Sequence, residues 1–218
     1  MKIAAGINTY ANAKGLDVCL ASLSGAGGVD KRLVIHGRYP HFSHEDGDSL
    51  AASQTVCKRY PNTQLIDLNS AEIEKRQKYL DLAADCDFLL VIDDDEYIAQ
   101  GADWGIMRDF CQKVIDKHEG FYIYDIMLGA RSEDLGPRPR LFYQPSKIKY
   151  YLKHYWWLLP NDRMLDGCSD SVQVAPGIQI IHDKTLRMDG NYNLASLSYQ
   201  QWLMWNESKY VRTAAGLL

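Results

Sequence analysis

The stretch that most constrains this chain is Phe88–Ile92, five consecutive apolar residues that run directly into Asp93, Asp94, Asp95 and Glu96. A strand with one face in water alternates apolar and polar residues. A strand apolar at every position suits the middle of a sheet covered on both faces, the setting of parallel strands flanked by helices. The preceding residues repeat the pattern. Lys2–Asn8, Lys31–Gly37 and Thr63–Leu68 read as three earlier strands. Between them, Leu16, Cys19, Leu20 and Leu23 fall at helical spacing, and residues 48–60 and 70–85 read as two further helices. Asn69 with Glu72 three residues on has the form of a capping box opening the last of these. Strands alternating with helices across short connections predict a mainly parallel central sheet flanked by helices, an α/β class.

Beyond Asp95 the pattern becomes mixed. A helix is expected near Trp104–Lys117, then a strand over Phe121–Met127, a loop over Gly129–Pro139 and a strand near Arg140–Gln144. An aromatic stretch, Ile148–Pro160, precedes a strand over Ile178–His182 and a C-terminal helix over Leu194–Arg212. The 218 residues, 46% of them apolar, fit one domain with a sizeable core. No repeat, linker or low-complexity tract divides them. The formal charge of −4 argues against a dedicated polyanion binder but leaves room for a local basic patch. Five widely spaced cysteines, Cys19, Cys57, Cys86, Cys111 and Cys168, contain no CxxC pair, so reduced thiols in a cytoplasm are expected. The N-terminus lacks the apolar core of a signal peptide, and no run approaches the roughly 20 apolar residues of a membrane span. The expected location is therefore cytoplasmic.

Ligands of open α/β sheets bind at the carboxyl ends of the strands, where Asp93, Asp94 and Asp95 would lie. If the backbone stays extended there, Asp93 and Asp95 share one side and Asp94 faces the other. Two carboxylates on one side form a partial shell for Mg²⁺ or Mn²⁺, and a solvated acidic turn is the plainer alternative. His182, at the end of another apolar strand, would share that edge if the two strands run parallel, and an imidazole favours Mn²⁺. A core or surface histidine is the alternative. Arg76 lies on the same helical stripe as Ile73, Leu80 and Ala83, so its charge needs a partner, either a diphosphate or a carboxylate such as Asp93 or Asp95. A structural salt bridge would serve as well. Lys75 is expected on another face of the helix.

Taken in this order, the opening turn at Ile7–Leu23, the Glu74–Ala83 helix, Leu89–Ile98 and Ile178–Arg187 resemble family 2-type glycosyltransferases of the GT-A, Rossmann-like fold. The resemblance covers about residues 1–100 closely and the rest loosely. It implies a single domain: about 1–100 as a nucleotide-sugar-binding half, about 101–190 as an acceptor side, and about 191–218 as a terminal helix. It implies a DxD-like metal set of Asp93, Asp95 and His182 holding Mn²⁺ or Mg²⁺ on a UDP- or GDP-sugar. Thr9, Tyr10, Arg76 and Asp94 fall on the donor side. An inverting transfer would need a carboxylate base, and Asp166, then Asp162, lie where the family places it, with Asp170 nearby. The acceptor class is open: a glycan, a lipid, a small molecule or a modified nucleic acid.

The chain departs from the family in two places. His36 ends the second strand where the family commonly has an acidic residue, and the Glu-Asp pair that marks the base is not distinct. Residues His44–Ser49 are similar to a loop of some small members.

The aromatic stretch carries Tyr150, Tyr151, Tyr155, Trp156 and Trp157, which would either stack on a sugar or base or pack as core. The C-terminal segment would dock on the sheet, join a second subunit in a homo-oligomer or touch a membrane surface. Three other functions compete. In a haloacid-dehalogenase-like phosphatase Asp93 would be nucleophile and Asp95 acid/base, but Tyr97 stands where Thr or Val is usual and three strands precede the motif. A nucleotidyltransferase would show a Gly-rich basic loop after the first strand, which residues 8–15 match poorly. A non-catalytic nucleotide- or sugar-binding module would need no base.

Overall fold

The computed structural model describes residues 1–37, 49–117, 121–130, 134–151, 153–166 and 173–186. The expected strands and helices of the first half form as β1 (Ile3–Thr9), α1 (Ala13–Ser22), β2 (Lys31–His36), α2 (Ser49–Cys57), β3 (Thr63–Asp67), α3 (Glu72–Leu82) and β4 (Phe88–Asp93). The chain then makes a short strand β5 (Glu96–Ile98), helix α4 (Trp104–Lys117), and strands β6 (Ile123–Ala130) and β7 (Asp134–Tyr143). Strands β8 (Lys149–Tyr151), β9 (Lys153–Leu158), β10 (Met164–Asp166) and β11 (Val174–His182) follow. Residues 187–218, which include the expected C-terminal helix, lie outside the described residues, as do Cys168, Asp170 and His44–Asp48.

Among the described residues the main sheet has eight strands in the order β3-β2-β1-β4-β7-β6-β11-β5. Strands β3, β2, β1 and β4 pair in parallel. Strand β7 enters antiparallel between β4 and β6, and β11 runs parallel to β6. Hence β11 points the same way as β4, and His182 ends at the same sheet edge as Asp93. The sheet is thus parallel in its first half and mixed in its second. One face carries α1, α2 and α4, whose Leu16, Leu20, Val56, Trp104 and Phe110 pack on Ile3, Ala5 and Ile7 of β1 and Leu90 and Ile92 of β4. The other face carries α3 and the small sheet β10-β9-β8, packed on Ala4, Leu33, Leu89 and Val91. Both faces of β4 are therefore covered, which is why every position from Phe88 to Ile92 is apolar.

Two expectations need correction. The loop expected over Gly129–Pro139 is largely the first half of β7. Pro137 and Pro139 are tolerated because they lie opposite β6, with register shifts on either side, while β4 pairs only with Leu141–Tyr143. The capping box at Asn69 does not form. The N-cap of α3 is Ala71, and Glu72 turns instead to Arg76 one helical turn on. Of the two readings of the aromatic stretch, Tyr150 and Trp157 take the core one. They pack against Phe142 with ring centroids 6.3 and 5.5 Å away and against each other at 5.9 Å.

Candidate active site

The carboxyl ends of β1, β4 and β11 bring the polar residues together. Strand β4 ends at Asp93 because the chain turns at Asp94 and Asp95 into β5. The extended alternation expected of the three aspartates therefore stops after the first, and each takes a separate environment. Asp93 lies between two arginines: Oδ1 accepts from Arg76 Nη2 at 3.0 Å, and Oδ2 accepts from Arg140 Nη1 at 3.3 Å. Asp94 accepts from the Thr9 hydroxyl at 2.7 Å, and its backbone carbonyl lies 3.4 Å from Asn12 Nδ2. Burial pushes the Asp94 carboxyl up to about 7, against the Thr9 bond, which favours the charged form. Asp95 is buried, with Oδ2 3.7 Å from His182 Nε2, and its carbonyl accepts from Asp183 N at 2.8 Å.

Local sequence explains these placements. Asn12 caps α1 by accepting from the Gly15 backbone at 3.1 Å, so its amide is fixed beside Asp94. A side chain at Gly15 would strike the Asp94 carbonyl, so this close approach of turn and helix requires glycine. Arg76 sits on the buried face of α3, held by Glu72 at 2.5 Å and donating to the Tyr79 hydroxyl at 3.2 Å. The two carboxylates, Asp93 foremost, hold its guanidinium above its ordinary pKa despite the opposing effect of burial. Lys75, expected on another face of the helix, reaches a different partner from Arg76. It is fully buried and donates to the Gly37 carbonyl, and burial lowers its pKa to about 7. Tyr10 sits 5.9 Å, centroid to centroid, from His36, whose imidazole lies 3.1 Å from the Ser49 hydroxyl and 3.5 Å from Asp67.

Two residues central to the site escaped the sequence reading, Glu96 and Arg140. Glu96 is almost wholly buried. Its Oε1 accepts from Arg140 Nη2 at 2.6 Å, and its Oε2 accepts from the Asp93 backbone N–H at 2.9 Å. The sequence does carry a signal for Arg140, a charge directly heading the apolar run Leu141-Phe142-Tyr143 and so in need of a partner. Asp162 is exposed on a short turn with left-handed φ of 57°, and no hydrogen bond or ion pair joins it to the cluster. Asp166 ends β10 opposite Trp156, and its side chain lies outside the described residues.

The donor set can be tested against a divalent cation. Asp95 and His182 offer a carboxylate oxygen and an imidazole nitrogen on one side of the turn, a hard-and-borderline pair suited to Mn²⁺. Both Asp93 oxygens are taken by arginines, so Asp93 belongs to the cationic network beside that pair. Among the described residues no three carboxylate, imidazole or thiolate groups converge as a ready-made shell. A cation here would take two protein ligands and draw the remainder from substrate oxygens and water, which is how Mg²⁺-type sites at phosphates are commonly built.

The strand order, with one antiparallel strand beside β4 and a polar cluster at the carboxyl edge, defines an α/β protein with a mixed central sheet covered by helices. No protein-family model matches the chain, and no curated protein does. Solved structures that the chain resembles in part include 4-diphosphocytidyl-2C-methyl-D-erythritol synthase from Anaerococcus prevotii, with TM-score 0.42 and 12% identity over 66% of this chain and 70% of that one. They also include glucosyl-3-phosphoglycerate synthase from Mycobacterium tuberculosis in complex with Mn²⁺, UDP and phosphoglyceric acid. That match has TM-score 0.38 and 13% identity over 60% of this chain, and it spans only 44% of the mycobacterial chain. Likeness at this level does not assign an activity. Among the described residues no helix is long and apolar enough to cross a membrane.

Proposed function

We propose that the chain is a metal-dependent glycosyltransferase that moves a sugar from a UDP- or GDP-sugar to an acceptor hydroxyl. The observation that carries this reading is the meeting of Asp95 with His182, beside an aspartate braced by two arginines, at the carboxyl edge of the sheet. In the proposal Asp95 and His182 hold Mn²⁺ or Mg²⁺. When bound, the ion supplies Lewis-acid stabilisation of the departing diphosphate. Arg76 and Arg140 place fixed positive charge beside the phosphates, and their carboxylate partners hold them in position before substrate arrives. Thr9, Tyr10 and Asp94 line the nucleoside side. Asp166, or failing that Asp162, takes the acceptor proton in an inverting transfer.

A phosphatase using Asp93 as nucleophile is disfavoured, since both of its oxygens are engaged by guanidinium groups. The reading is tested by thermal shift. UDP or GDP with Mn²⁺ is expected to raise the melting temperature, and Asp95→Ala to abolish the rise. Equal shifts in the two proteins would sink the reading. Slow Mn²⁺-dependent hydrolysis of a nucleotide sugar, lost in Asp95→Ala, separates a transferase from a binding module.

A further inference from the structure

Three side chains at the β2–β3 end of the carboxyl edge have no part in the proposed sugar transfer: Ser49, His36 and Asp67. Strands β2 and β3 pair in parallel with His36 directly opposite Asp67, and α2 begins at Ser49. The imidazole joins the other two. Its Nε2 lies 3.1 Å from the Ser49 hydroxyl, and its Nδ1 lies 3.5 Å from Asp67 Oδ1. A carboxylate only accepts, so the nitrogen facing it carries the proton, and Nε2 is left to accept from the serine hydroxyl. A hydroxyl on a base, with the base oriented by a third group, is the arrangement that activates a serine. The surroundings suit that chemistry. His36 is 3% exposed, and burial holds its pKa below the ordinary value, against the attraction of Asp67. The imidazole is therefore neutral and able to take a proton. Ser49 is only part-buried, so a small molecule can reach its oxygen. The backbone N–H groups of the first turn of α2 have no partner inside the helix and carry the positive end of its dipole. An oxyanion forming on a group bonded to Ser49 develops next to these donors.

We infer that Ser49 is the nucleophile of a second, metal-independent activity, the hydrolysis of carboxylic esters, with His36 as general base and Asp67 as positioning residue. Ser49 Oγ bonds to the ester carbonyl carbon while its proton passes to His36 Nε2. The bond from that carbon to the alcohol oxygen then breaks, and the alcohol leaves with the proton from His36. Water gives a proton to His36 and attacks the acyl-serine. The carboxylic acid departs, and the returned proton restores the Ser49 hydroxyl. No oxidant, metal or nucleotide enters the balance.

The test is reaction of the full chain with a fluorophosphonate probe, with a chelator present and no nucleotide, followed by mass spectrometry of its peptides. Wild type is expected to carry the probe on Ser49 and to hydrolyse p-nitrophenyl acetate, and Ser49→Ala to lose both. Asp67 is half-exposed, so Asp67→Asn should fold as wild type does. It is expected to take the probe about 100-fold more slowly with an unchanged melting temperature, whereas a merely structural carboxylate would leave the rate alone. Wild-type protein that takes no probe, or takes it at a residue other than Ser49, overturns the inference whether or not any variant folds. Equal labelling rates in wild type and Asp67→Asn overturn it too, as does ester hydrolysis retained in Ser49→Ala. Each of these outcomes leaves the binding of Mn²⁺ and nucleotide untouched, so the two readings fail separately.

Discussion

Gly6 lies in the middle of β1, paired with Leu33 on one side and Val91 on the other, and the ring of Tyr79 covers it. A methyl group added at Gly6 would stand 2.7 Å from Tyr79 Cγ and 3.0 Å from both Cδ atoms. Carbon atoms at ordinary contact sit about 3.5–4.0 Å apart, so the ring must retreat by about 1 Å. It has little freedom to do so. Tyr79 is fully buried, and its hydroxyl lies 3.2 Å from both the Arg76 guanidinium and the Tyr150 hydroxyl. Gly6→Ala should therefore destabilise the fold by about 1–3 kcal/mol, the usual range for overpacking a tight core. For a chain of this length that is a fall in Tm of about 2–12 °C. Because Arg76 moves with Tyr79, the thermal shift from UDP or GDP with Mn²⁺ should shrink as well.

Urea denaturation of Gly6→Ala, Tyr79→Leu and the double variant measures the effect. In the Tyr79→Leu background the extra methyl has room, so Gly6→Ala should cost much less there than in wild type. If Gly6→Ala changes stability by less than about 0.5 kcal/mol, or if the two changes are additive within that margin, the ring-on-glycine contact does not have the consequence argued.

Two further predictions concern buried charge. Lys75 has a pKa of about 7 in the fold, against an ordinary value of 10.5. Between these values the unfolded chain holds a proton that the folded chain has released, so Lys75 makes stability rise with pH from about 7 toward 10.5. Lys75→Met should flatten that slope, as measured by urea denaturation at pH 6.5–9.5, and an unchanged slope would count against a neutral buried amine. Asp125 is 9% exposed, has one oxygen without a partner, and is pushed by burial from 3.8 to about 6. Here the folded chain holds the extra proton, so stability falls as pH rises from 3.8 to 6, and the penalty is complete above that. Asp125→Asn should stabilise the protein at pH 7 by about 1–3 kcal/mol and leave stability at pH 3.5 nearly unchanged. Destabilisation at pH 7 would show that attraction to the Arg138 charge outweighs the cost of burial.

The parts of this fold legible in the sequence were those set by local patterning, and the missed parts were set by contacts between distant segments. Phe88–Ile92 announces a strand covered on both faces because burial alone decides all five residues. The helical stripe of Ile73, Arg76 and Leu80 is equally local, and it led directly to a buried guanidinium in need of a carboxylate. The capping box failed because Glu72 had a stronger use four residues on, as a partner of Arg76 rather than of a backbone N–H. Strand β7 was hidden by Pro137 and Pro139, which argue for a loop unless one knows that β4 stops short of them. Glu96 was the hardest residue to assign. Next to three aspartates it reads as one more solvated acid, and its meaning comes from Arg140, 44 residues further on, and from His182. The opening run of like charges is therefore resolved residue by residue: Asp93 by two arginines, Asp94 by Thr9 and partial neutralisation, and Glu96 by Arg140. Asp95, turned toward His182, is the member of the run whose geometry best suits a cation, which is why Asp95→Ala is the variant on which the functional proposal turns.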